Sequence, residues 1–164
     1  QTIGSNKVYN NTQNNNGNTQ NNITINRVGN EDLSGLTSGI LDQCVRRTNL
    51  GLVDLIKSIH FDNRHNHNIR ANISHPYIVE CHNGNSWVYE QKKSALTKMV
   101  DNGHRIMSDH FDENSQRFKV DMSRALFGYV CEWLSKMEKS NHSIYADVME
   151  KVFVLILNHS KNIT

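Results

Sequence analysis

Apolar positions along this chain follow two rhythms, and the change between them marks the elements. From Asn30 a helical spacing begins: Leu33, Leu36, Ile40, Leu41, Cys44 and Val45 recur at three and four, the period of one helix face. Asn30 is placed to cap this helix, with Glu31 and Asp32 in a first turn whose dipole favours acids. Arg46–Arg47 close it, Asn49–Gly51 interrupts, and a second helix runs from Leu52 to about Ile59 with Val53, Ile56 and Ile59 on one face. Between Asn68 and Gln91 the period drops to two. Ile69, Ala71 and Ile73 alternate with polar residues, His75–Pro76 breaks the run, and Y-I-V-E-C and S-W-V-Y-E flank H-N-G-N. Asn-Gly between two such runs predicts a hairpin, and the whole region a small three-stranded antiparallel sheet.

After Lys92 the helical period returns. Ala95, Leu96, Met99 and Val100 give the first face, which Asn102–Gly103 weakens or bends. Asp121 is placed to cap a second helix carrying Met122, Leu126, Tyr129, Val130, Trp133, Leu134 and Met137, and Ser140–Ser143 turns the chain. The last helix carries Ile144, Tyr145, Val148, Met149, Val152, Phe153 and Ile156, and Val154, Leu155 and Leu157 make it apolar nearly all round. A helix without a wet face is central or meets another subunit. The expected fold class is α+β: two N-terminal helices, a three-stranded antiparallel sheet and three C-terminal helices, forming one domain over residues 30–164.

Residues 1–29 differ in kind. The stretch QTIGSNKVYNNTQNNNGNTQNN is Asn/Gln-rich with few apolar groups, the composition of a disordered linker. Ile23, Ile25 and, after one slip, Val28 approach a period of two, so residues 23–28 are a candidate intersubunit strand in which copies bury isoleucines and ladder asparagines. With the apolar positions Val152, Phe153 and Ile156 they form the expected interface of a homo-oligomer.

Composition narrows the chemistry. A net charge of +2 in 164 residues is not the clustered basic face that holds a polyanion. Both surplus cations, Lys7 and Arg27, precede a region in which acids and bases balance. Cys44, Cys81 and Cys131 are an odd count without C-x-x-C, neither a disulfide framework nor a zinc finger, and favour a reducing compartment. The N-x-[ST] triplets at Asn10, Asn22, Asn72, Asn141, Asn158 and Asn162 are what so many asparagines produce by chance. The most apolar run, Val152 to Leu157, is far shorter than a membrane span. The chain opens on Gln1 rather than Met, so a fragment or processed product is expected.

The one dense cluster of potential ligands is I-H-F-D-N-R-H-N-H-N-I, residues 59–69, where His60, His65 and His67 share a short stretch with Asp62. A divalent metal site is one reading, with Cys81–His82 as further donors. Structural zinc, however, takes paired ligands from two places, and an i, i+2 histidine pair faces one way only on a strand. A metal-dependent nuclease also needs a surface for the polyanion. The favoured reading is a polar loop whose histidines bond backbone or water, with no cofactor. G-x-S-x-G, P-loop, H-E-x-x-H and G-x-G-x-x-G motifs are absent, and no residue is singled out as catalytic. Trp87 and Tyr89 are a candidate stacking surface for bases, though such aromatics more often pack a sheet against helices.

The run L-I-K-S-I-H-F-D-N-R-H-N-H-N-I, then Y-I-V-E-C-H-N-G-N-S-W-V-Y-E-Q-K-K, preceded by an Asn-rich spacer and G-N-E-D-L-S, resembles a carboxy-terminal domain of proteins of large, mimivirus-like cytoplasmic DNA viruses. The likeness covers about residues 20–110. It implies a non-catalytic tail domain that associates with itself or with a viral partner, in the host cytoplasm or the virion, and a structural component of the virion is a further reading. Nucleic acid would be met only through modules upstream. It also implies that His60 and Asn68 pin the helix-to-strand loop. The chain departs from the family in lacking the loop proline and in carrying His65 and His67.

Overall fold

The computed structural model describes residues 23–139 and 142–161. Helix α1 (Ser38–His60) is followed by a 3-10 turn at Arg64–Asn66 and by strands β1 (Ile69–Ala71), β2 (Ile78–His82) and β3 (Trp87–Gln91). Helices α2 (Lys92–Glu113), α3 (Ser115–Asp121), α4 (Arg124–Met137) and α5 (Ser143–Ser160) complete the chain. The fold is α+β, and the sheet is antiparallel in the order β1-β2-β3.

The helix count departs from expectation at both ends. The two expected N-terminal helices form one run that kinks at Thr48, whose φ of 50° and ψ of −112° lie outside helical space. Gly51 permits the close fold-back: a Cβ there would meet the Cys44 carbonyl oxygen at 1.8 Å. The run begins at Ser38, not after Asn30, because Thr37 accepts the cap bond from the Ile40 amide. Glu31, expected in a first turn, is drawn inside instead. Four helices follow the sheet rather than three. Ser123, not Asp121, caps α4, and Asp121 ends the unforeseen α3.

Asn102–Gly103 does not break α2. A Cβ on Gly103 would stand 2.8 Å from Leu52 Cδ1 and 3.2 Å from Ile56 Cγ1, so this glycine brings α1 and α2 into close contact. Leu52, Leu55, Ile56, Val100 and Met107 are fully buried along that seam, each apolar side chain contributing about 1.5–3 kcal/mol.

Helix α5 takes the central of the two expected positions and packs on α1, β1, α2 and α4. Val152 and Ile156 are fully buried in the chain's own core, and the Phe153 ring lies under Lys92 Nζ at 4.2 Å. Only Val154 on its apolar stretch is well exposed. Ser160 near its end bonds the Ala71 amide at 2.8 Å, closing the outer edge of β1.

The sheet pairs Ile69 with Cys81 and Cys81 with Val88, and Ala71 with Val79 and Val79 with Glu90. Those residues face the helices. Arg70, Glu80 and Tyr89 form a row on the opposite face. Trp87 shares the parity of Tyr89 and so also points away from the helices, against the expectation that both pack inward. The Arg70 guanidinium covers the Trp87 ring at 4.2 Å, and Tyr89 is 71% exposed. The hairpin falls at Asn83–Gly84 as expected. Its loop is four residues, held by the Asn83 side chain accepting from Asn85 and Ser86 at 2.9 Å each.

A candidate site at the end of the first helix

Asn66, the middle residue of the H-N-H tripeptide, organises this region. It is fully buried, and its Nδ2 donates to the Ile59 and Asp32 carbonyls at 2.8 Å each. Its Oδ1 accepts from Asn26 Nδ2 and from the Asp32 amide, both at 2.9 Å. One amide side chain thus ties the end of α1 to residues 26–32. Backbone bonds complete the attachment: Asn26 N–H to the His65 carbonyl at 2.7 Å and Val28 N–H to the His82 carbonyl at 3.0 Å. Over residues 23–28 the chain makes no strand, and the amides of Asn26 and Val28 are engaged within the molecule. Ile25 and Val28 are half-buried and Ile23 is exposed. Residues 1–22 of the Asn-rich leader lie outside the described residues.

This attachment delivers Glu31 to His60. Glu31 Oε1 accepts from the Gly29 amide at 2.8 Å and from Asn68 Nδ2 at 2.9 Å. Since the Asn68 nitrogen faces Glu31, its oxygen faces His60, whose Nδ1–H donates to it at 2.9 Å. The Glu31 and His60 side chains are each only 3% exposed, with Oε1 and Nδ1 3.7 Å apart. The chain of bonds fixes one tautomer: the proton sits on Nδ1 and the lone pair on Nε2. Burial lowers the His60 pKa, an effect partly offset by the Glu31 charge and the Asn68 bond, so the ring is neutral near pH 7.

His60 and Glu31 line a cleft of about 450 Å³ between residues 27–31, the β2–β3 hairpin and α2. Arg27 and Lys98 stand on its walls with Asn83, Asn85 and Asn102, and Cys81, Val88 and Met99 supply apolar lining. Glu90 carries the Lys98 ammonium and accepts from Ser94 at 2.9 Å. Burial, then the neighbouring Glu90 carboxylate, pushes the Cys81 thiol up to about 12, which leaves no thiolate for nucleophilic work.

The other residues of the expected cluster diverge. His65 Nδ1 meets the Thr24 carbonyl at 3.0 Å and His67 Nε2 the Phe61 carbonyl at 2.6 Å. Asp62 pairs with Lys57 at 2.7 Å on the surface. Among the described residues no three His, Cys, Asp or Glu side chains converge to hold a metal ion. His60 bonds the Asn68 side chain where the loop reading expects backbone or water, and it stands beside Glu31, which the spacing hides.

No family model matches the chain, and neither the curated proteins nor the solved structures yield a match. Among the described residues no helix is long and apolar enough to cross a membrane.

Proposed function

We infer that this is a non-catalytic association domain whose copies pair through the free edge of β3. The carrying observation is the asymmetry of the sheet. Ser160 meets the Ala71 amide at the β1 edge, whereas the outer edge of β3 has no backbone partner among the described residues. An open edge strand with apolar side chains is a template for another strand. The strand W-V-Y-E-Q complements itself. In an antiparallel pair centred on Tyr89, that residue faces its own copy, Trp87 faces Gln91 and Val88 faces Glu90, so no like charges are opposed.

The resemblance to tail domains of giant-virus proteins fits such a role, in which the domain joins copies of its own chain or holds a viral partner. This reading places the interface on the sheet rather than on α5, whose Val152 and Ile156 are buried within the chain. The metal-dependent reading of His60, Asp62, His65 and His67 gains no support from residues that point apart.

Light scattering coupled to size-exclusion chromatography tests this directly. The expected result is a dimer that Tyr89→Lys, a change at an exposed side chain, converts to monomer by opposing two ammonium groups. A wild-type chain that stays monomeric at rising concentration, or a dimer indifferent to Tyr89→Lys, refutes the reading.

A further inference from the structure

The cleft above His60 has a polarity that its own residues leave unsatisfied. Nε2 of His60 and Oε2 of Glu31 receive no hydrogen bond from the described residues. Neither is a sealed, unpartnered atom, and both residues line the cleft. Both are acceptors: Nε2 carries the lone pair because Nδ1–H is committed to Asn68, and Oε2 belongs to a carboxylate. Among the described residues no Lys or Arg lies within ion-pair distance of that carboxylate, whose charged-type neighbour there is the neutral His60 ring. A buried carboxylate held only by dipoles gains most from a cation that donates hydrogen bonds. The outer part of the cleft has the opposite sign. Arg27 is exposed and makes no ion pair or side-chain hydrogen bond among the described residues, and Lys98 stands nearby, paired with Glu90.

We propose that this cleft binds a free basic amino acid, with its guanidinium or ammonium on Glu31 and His60 and its carboxylate toward Arg27. A planar guanidinium donates in a fork and can serve more than one acceptor. The volume of about 450 Å³ falls within the range of small-molecule sites, roughly 300–1,000 Å³. Met99 and Val88 offer the apolar wall that an aliphatic stem needs. A purely cationic ligand, such as a polyamine, meets Arg27, unpaired among the described residues, at the outer end, where Glu90 already holds Lys98, and is disfavoured.

Isothermal titration calorimetry with L-arginine, L-citrulline and agmatine separates the contributions. L-arginine is expected to bind saturably. L-citrulline, of nearly the same shape but with a neutral side-chain head group, is expected to bind at least about tenfold more weakly, the usual scale for losing a charge-assisted contact. Agmatine keeps the guanidinium and lacks the carboxylate, and should weaken by about threefold, as an exposed ion pair warrants. Glu31→Gln should lower L-arginine affinity to the citrulline level. Arg27→Ala, which alters only an exposed side chain, should make L-arginine and agmatine equivalent and provides the test should Glu31→Gln not fold. Absence of saturable L-arginine binding overturns the proposal. So does citrulline binding equal to arginine, or Arg27→Ala leaving the arginine–agmatine difference intact.

Discussion

Two carboxylates near the two ends of α1 are handled in opposite ways. Asp42 is clasped by a bidentate Arg117, Nη1 to Oδ2 at 2.6 Å and Nη2 to Oδ1 at 2.7 Å, and by His110 Nε2 at 2.8 Å. That cluster ties α1 to α2 and α3 and is complete in itself. Glu31 is more deeply buried and, among the described residues, accepts only from an amide side chain and a backbone N–H, with a neutral imidazole beside it. A carboxylate with its own guanidinium is a structural joint. One that is buried beside a cleft without a cation has capacity left for something from outside. The contrast separates stability from recognition in a fold where both use the same chemical group.

The largest effect should come from the residue that supports the Glu31 side of the contrast. Asn66→Ala removes a buried amide with four hydrogen bonds and strands the Ile59 and Asp32 carbonyls. A loss of about 3 kcal/mol or more in urea unfolding is expected, with faster hydrogen exchange at Asn26 and Asp32. A loss below about 1 kcal/mol would mean that residues 26–32 hold their place without the side chain. Next in size, Asp42→Asn should cost about 1–2 kcal/mol by spoiling the bidentate pair. Glu31→Gln should leave unliganded stability unchanged or raised, because a buried charge disappears while both hydrogen bonds to Oε1 keep an acceptor. Equal losses in the two variants would erase the distinction.

The smallest effect, and the most diagnostic, is in acid. Burial holds His60 below the ordinary imidazole range, so folding favours its neutral form. That contribution is full above about pH 6.5 and is lost as pH falls through the lowered folded value. The hydrogen bonds from Arg117 hold the Asp42 carboxyl at about 2 against an ordinary 3.8. Its contribution is therefore full above the ordinary value and is lost as pH falls through about 2. Melting temperature against pH should show two separate declines: His60→Gln flattening the upper, Asp42→Asn the lower. A single decline untouched by His60→Gln would deny the buried neutral imidazole.

The sheet and the hairpin were legible because alternation and Asn-Gly are local signals. The kink was nearly so, since Asn49–Gly51 lies beside Thr48. Glu31 was not. An acid after Asn30 and before a helical spacing has the local signature of a first turn, and only contacts distant along the chain, through Asn66 and Asn68, pull it inside. Asn66 was hidden by its neighbours, because the two flanking histidines carry the chemistry that a motif search weighs while the buried member is an unremarkable amide. The face taken by Trp87 and Tyr89 was left open for a different reason. Aromatic preference for strands says nothing about side, and the helix-facing side takes Val88 and Glu90, the latter made tolerable by Lys98 and Ser94. Helix α3 escaped because nothing between Glu113 and Asp121 breaks the pattern, and its boundary rests on Phe118 packing against Phe111 at 5.4 Å.

The bond from Ser160 to the Ala71 amide has a consequence for assembly. A sheet with two open margins can accept neighbours on both and grow without limit, the geometry of a fibre. Here α5 packs on one margin and its Ser160 hydroxyl takes the Ala71 amide, so the proposed pairing across β3 would use the rim left more open among the described residues. Such a pair would be two-fold symmetric and closed, and would stop at two. Ser160→Ala would remove that stopper from a short strand still screened by α5, and open-ended polymerisation would then depend on how well the helix alone guards it.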